Sequence, residues 1–134
     1  MTESAIKATI EGFWRARVAG DMHALTSFMA PDAIYEMVGA NAFAEPETVG
    51  PHRMESAAAR LVEIFTFHNV ETRTVIVDGA RAAVVNRLEV AFRDRAPVAT
   101  EACDLWEFDA AGKITSLRQF VDTDLVRRMF AGEV

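Results

Sequence analysis

The chain has one cysteine, Cys103, and therefore no internal disulfide, and its Cys and His residues fall at no spacing that holds zinc. It also lacks any cluster of Lys and Arg. A formal net charge of −6 over 134 residues, with no basic run, argues against nucleic acid or anionic membrane as the main partner, because both are bound through grouped cations. No apolar run is long enough to span a bilayer, and the N-terminus, with Glu3 and Lys7 inside an amphipathic pattern, lacks the form of a signal peptide. A cytoplasmic location is expected. Composition shifts, internal repeats and low-complexity stretches are missing too, so residues 1–134 are expected to form a single domain, and 51% hydrophobic residues give it a sizeable core. Small molecules or proteins remain as partners, and no metal or cofactor is expected.

What is present reads first as helix. Ile6, Ile10, Phe13, Trp14 and Val18 recur at helical spacing from Ser4 to Ala19, and Gly20 suits the C-terminal stop. Asp21 caps a second short helix carrying Met22, Leu25, Phe28 and Met29, which ends near Ala30 because Pro31 disfavours helical geometry before it. Ala33–Val38 reads as a strand. The loop after it, broken by Gly39, Pro46, Gly50 and Pro51, has a length that often borders a pocket. Pro51 opens a third helix with Met54, Ala58, Leu61 and Phe65 in its apolar stripe.

From Phe67 the period is two. Asp78-Gly79 signals a hairpin between Thr72–Val77 and Arg81–Phe92, and turns at Asp94–Pro97 and Asp109–Gly112 delimit two further strands. Thr123 caps a last helix with Leu125, Val126 and Phe130. The order is ααβαββββα, and the expected α+β architecture is a curved antiparallel sheet wrapped on N-terminal helices.

Alternation sorts the strand residues into faces. Arg87 and Glu89 share one face of their strand, opposite Asn86, Leu88, Val90 and Phe92; Thr100, Ala102, Asp104, Trp106 and Phe108 share a face, as do Ile114, Ser116, Arg118, Phe120 and Asp122. Turned toward one pocket, Arg87, Glu89, Asp104 and Asp122 would converge. Two carboxylates about 5 Å apart repel by roughly 3 kcal/mol at an effective dielectric of ~20, so one keeps its proton and the pair offers an acid and a base. The opposing apolar set, including Leu88, Val90, Leu105 and Leu117, is then expected to be covered by a second subunit in a homodimer. On an ordinary strand, by contrast, Arg87 with Glu89 is a solvated ion pair without function.

The succession helix, Gly20-Asp21, helix, then FMAPDAIYEM (28–37) and DLWEFDAAGKITSLRQFVDT (104–123) resembles the NTF2-like superfamily over nearly the whole chain. The resemblance implies the cone-shaped fold of SnoaL-like cyclases, ketosteroid isomerases and limonene-epoxide-hydrolase-type enzymes. Asp104 falls where the isomerases keep a protonated oxyanion donor, whereas Phe13 and Met37 stand where their tyrosine and base would be. Arg87-Leu88-Glu89 and Phe120-Val121-Asp122 are similar to the Arg-apolar-Asp and Tyr-Phe-Asp segments of the epoxide hydrolases. The resemblance thus implies Asp122 as base, Glu89 as acid, Arg87 as their bridge and Tyr35 as a water-holding tyrosine, with Met37 replacing a companion asparagine. The substrate, a small apolar molecule, would meet Phe13, Trp14, Met37, Asp104, Trp106 and Phe120, with His52 beside the loop. Epoxide hydrolysis is the implied reaction, isomerase or cyclase activity is less favoured, and the alternative is a non-catalytic ligand-binding or dimerisation module.

Overall fold

In the computed structural model, which describes residues 1–40 and 51–134, the chain opens with α1 (Glu3–Ala19), a helix with one buried stripe of Ile6, Ile10, Phe13, Trp14 and Arg17. Thr2 caps its start, and Gly20, with φ 69, closes its end by donating its N–H to the Ala16 and Arg17 carbonyls. Asp21 caps α2 (Met22–Ser27), which is shorter than the sequence suggests. Met29 and Ala30 already belong to β1 (Met29–Val38), because Met29 pairs with Ile114 in the sheet and so leaves the helix before the proline acts. The loop breakers Pro46 and Gly50 lie outside the described residues.

Pro51 does not open the third helix. It precedes a two-residue strand, β2 (His52–Arg53), which pairs with β1, and α3 (Met54–Ile64) follows. The remaining elements are β3 (Phe65–Asp78), β4 (Arg81–Phe92), β5 (Val98–Phe108), β6 (Ile114–Phe120) and α4 (Thr123–Phe130). The α4 cap is Asp122 rather than Thr123: its side chain accepts the Leu125 N–H. The strands form one sheet in the order β2-β1-β6-β5-β4-β3, antiparallel throughout except for the parallel β1–β6 pair. Register shifts in β3, between Phe67 and Asn69 and between Thr72 and Thr74, bend this long strand as bulges do. The result is the expected α+β cone, with α1, α3 and α4 packed on the inner face.

Pairing decides which residues face inward, since directly paired residues project to the same side of a sheet. Asp104 on β5 is opposite Val84 on β4 and Gln119 on β6. Asp104 and Val84 are wholly buried, so Val84, Asn86, Leu88 and Val90 form the inner row of β4. Arg87 and Glu89 fall on the outer row, where both are exposed. On β6 a bulge opposite Glu107–Phe108 breaks the alternation: Ile114, Leu117 and Gln119 face inward, and Arg118 and Phe120 face outward. The sequence reading placed Arg87 and Glu89 inside and Leu88, Val90 and Leu117 on a subunit interface. The structure reverses both assignments: on β4 the alternation holds and its relation to the neighbouring strands differs, and on β6 the bulge breaks the alternation.

The reversal has a measurable outcome. Leu88→Ala empties an inner position and should cost ~2–5 kcal/mol in urea unfolding, whereas Glu89→Ala should change stability by less than ~0.5 kcal/mol. The opposite ranking would place the inner row on the odd-numbered residues.

Candidate functional site

The helices and the inner face of the sheet line a partly open cavity of about 80 Å³, to which α1, α2, α3, β1, β3, β4, β5, β6 and α4 all contribute residues. Its walls are mostly apolar: Phe13, Trp14, Met37, Leu61, Phe67 and Leu88 are representative. Arg17, Tyr35, Thr100 and Gln119 bring polar groups to it, and two exposed carboxylates, Glu101 and Asp122, stand at its rim.

The polar wall is one continuous hydrogen-bond chain. Thr72 Oγ1 donates to Asn86 Oδ1 at 2.9 Å, Asn86 Nδ2 donates to Asp104 Oδ2 at 3.3 Å, and Gln119 Nε2 donates to Asp104 Oδ1 at 3.2 Å. Tyr35 Oη donates in turn to Gln119 Oε1. Every donor thus points toward Asp104, as suits an ionised carboxylate. Yet burial pushes the Asp104 carboxyl up from 3.8 to about 7, against the two amide hydrogen bonds, which pull it down. Desolvation of the charge outweighs both bonds. The Tyr35 phenol is also held well above its ordinary value, first by burial and then by Asp104, with Arg17 opposing. It therefore stays protonated and acts as a hydrogen-bonding group. Gln119 separates Asp104 from the cavity, and an amide passes on polarity but does not readily carry a proton.

Arg17 approaches from the other side. Its Nη2 donates to the Leu61 carbonyl at 3.0 Å and the Phe65 carbonyl at 2.6 Å, and its guanidinium lies 4.6 Å from the Phe67 ring centroid. Burial lowers its pKa to about 10, so it remains a cation at neutral pH. Arg17 was legible in principle, since it lies three residues after Trp14 and four after Phe13 on the same stripe. Gln119 was not, because the β6 bulge hides its direction.

The residues singled out from the sequence scatter. Phe13, Trp14, Tyr35 and Met37 line the cavity. Asp104 is fully buried behind Gln119. Asp122 is at the rim, with Oδ1 occupied by the Leu125 N–H at 3.1 Å. Trp106 belongs to the core, edge-on to Phe13 with ring centroids 5.0 Å apart. Phe120 is 39% exposed on the outer face, beneath the Arg118 guanidinium, so it does not enter the pocket. His52 is half-buried on β2 and paired with Tyr35 through the backbone, away from the cavity walls. Arg87 lies outside between Glu71 and Glu101 of the neighbouring strands, and Glu89 is on the same face. The expected convergence of Arg87 and Glu89 with Asp122 is not formed, since the sheet separates them. Among the described residues no group of His, Cys, Asp and Glu is disposed to hold a metal ion, and no helix is long and apolar enough to cross a membrane.

The raised Asp104 pKa links stability to pH. The folded state holds this proton more tightly than the unfolded chain, so the stability it confers is full below about pH 4 and is lost as pH rises through about 7. A rise from 3.8 to about 7 corresponds to on the order of 4 kcal/mol. Asp104→Asn, neutral throughout, should therefore gain on the wild type between pH 5 and pH 8 in urea unfolding. A pH-independent difference would show that Asp104 ionises as freely in the fold as outside it.

No curated protein matches the chain by sequence. A family model described as a SnoaL-like domain matches residues 10–117. Among solved structures, an LEH-like epoxide hydrolase from M. tuberculosis superposes with a TM-score of 0.70 at 24% identity, covering 96% of this chain and 89% of that one. A proposed isomerase from Rhodopseudomonas palustris gives 0.75 at 16% identity, covering 98% and 99%. An NTF2-like protein from Burkholderia thailandensis gives 0.71 at 21%, covering 92% and 95%. At these identities the likeness establishes the fold, which hosts many chemistries. By its family match and its architecture, the chain belongs to the SnoaL-like domain family, on the NTF2-like cone.

Proposed function

We propose that the cone binds a small, largely apolar molecule bearing a carbonyl oxygen, and that the protein transfers a proton next to that carbonyl without a cofactor. The observation that carries this reading is the hydrogen-bond chain that delivers Tyr35 and Gln119 to an otherwise apolar cavity. Tyr35 Oη spends its proton on Gln119 Oε1 and holds the amide in place, so the second N–H of Gln119 Nε2 is the donor left for a ligand carbonyl oxygen, while the apolar walls favour a hydrocarbon body. Asp122 at the rim is the carboxylate placed to take the proton.

Proton transfer of this kind needs one base and one oxygen-binding donor. Epoxide opening by water needs a base and a separate acid, and Glu89, the acid that the resemblance implies, is on the far side of the sheet. The epoxide-hydrolase reading therefore loses its constellation. Binding without turnover is the second reading, and it is favoured by one observation, the Asp122 oxygen already engaged at the start of α4.

Asp122→Asn discriminates, because asparagine caps a helix about as well as aspartate and the fold should hold. With a panel of cyclic and aromatic ketones in heavy water, the wild type should exchange α-protons, and Asp122→Asn should lower kcat by ~10²–10⁴ while leaving ketone binding intact. Ketone binding without exchange in the wild type would establish the non-catalytic module, and hydrolysis of a terpene epoxide by the wild type would restore water attack.

We propose also that the protein is a homodimer through the outer face of the sheet. Support comes from two adjacent rows across the strands: Ile76, Ala83 and Leu105 in one, Val85, Cys103, Phe120 and Val38 in the next. Ile76 is 62% exposed, and Leu105 and Phe120 are 39% exposed each. Sedimentation should give a dimer for the wild type and a monomer for Leu105→Glu. A wild-type monomer at micromolar concentration would overturn the proposal.

A further inference from the structure

We infer that the ligand of the cone is an amphipathic anion, a small apolar body with a carboxylate, and that Arg17 holds the carboxylate. This rests on the proposal that the cone is a ligand pocket. Arg17 lines the cavity and is 7% exposed, and among the described residues no carboxylate pairs with it. A guanidinium has five N–H donors and stays charged when buried, so an interior arginine without an anion is electrostatically incomplete. The two carbonyls at the end of α3 occupy Nη2 alone, and the helix dipole there offers only about half a negative charge. The N–H groups of Nε and Nη1 have no acceptor among the described residues.

A second observation points the same way. Trp14, one turn earlier on the same stripe and also in the cavity wall, has a buried Nε1–H without an acceptor. The α1 side of the cavity thus has unmatched donors in Arg17 and Trp14, while on the sheet side the donors of Tyr35, Asn86 and Thr72 are spent within the chain to Asp104, leaving the second N–H of Gln119 and, in the core behind it, the Nε1–H of Trp106. A purely structural Arg17, tying α1 to the end of α3, would need the two carbonyl bonds and nothing more. A ligand carboxylate supplies acceptors for a planar fork and neutralises the charge, and the apolar walls take the rest of the molecule.

The test compares hexanoate with 1-hexanol, which share a body and differ in the charged head, by calorimetric titration of the full chain. The wild type should prefer hexanoate by about tenfold or more, as charge-assisted hydrogen bonds to a buried guanidinium require. Arg17→Gln, which keeps an N–H donor but no charge, should lose the preference and keep its hexanol affinity within about twofold; Arg17→Lys should retain part of it. Should Arg17→Gln not fold, the wild type decides by itself: the Arg17 Nε–H resonance should shift with hexanoate and stay put with hexanol. Equal binding of the two molecules by the wild type would overturn the anion inference and leave the pocket standing. Binding of neither would overturn both. A preference that survives in Arg17→Gln, or an unmoved Arg17 resonance, would remove Arg17 from the site.

Discussion

The pairing of Asp104 with Val84 on one side and Gln119 on the other determines what the cone contains. Side chains alternate with a period of two, so a shift of one position in this pairing would exchange inside for outside along the whole strand. In the observed register β4 gives the interior Val84, Asn86, Leu88 and Val90, and gives the exterior Arg87 and Glu89. One carboxylate is thereby buried among amides, and the other charges of these strands are left in water, where an ion pair contributes little.

Two ionisable groups are nevertheless kept inside, by different means. Asp104 is surrounded by N–H donors, and its raised pKa shows that those bonds recover only part of the desolvation. Arg17 is set against carbonyls and an aromatic face, and it remains charged. They do not form a pair. Tyr35 feels both, with Asp104 raising its pKa and Arg17 lowering it, so its hydroxyl lies in a field between opposite charges. A bound molecule in contact with Tyr35 would meet the same field, without reorganisation of the protein.

Much of the fold could be read from local patterns. The stripe of α1, the Asp78-Gly79 hairpin and the terminal helix follow from periodicity and turn chemistry, which act within a few residues. The long-range relations could not. On β4 the alternation sets a mostly apolar face bearing Leu88 against a charged face bearing Arg87 and Glu89, which by itself favours the apolar face as the inner one; the family resemblance pointed the other way, and the pairing with β5 shows the apolar face inside. The β6 bulge reversed Gln119 and Phe120, and β2 is too short to carry a pattern. The Arg87-Leu88-Glu89 segment drew attention because its residue types suit catalysis, yet its placement is that of ordinary surface charge. Asp104 and Tyr35 are singled out by the sequence, and their shared partner Gln119 emerges only with the register.

At one end of the sheet order, β3 presents 14 residues along an edge that no other described strand covers, a length at which backbone N–H and C=O groups could template another strand. The bulges after Phe67 and Thr72 interrupt the straight run of such groups, and Glu71, Arg73 and His68 set solvated side chains along it. An incoming strand would find neither an unbroken ladder nor a dry surface. Growth of the sheet by addition at this edge is thus disfavoured by the curvature that shapes the cone. The bend that opens the cavity also works against fibrils.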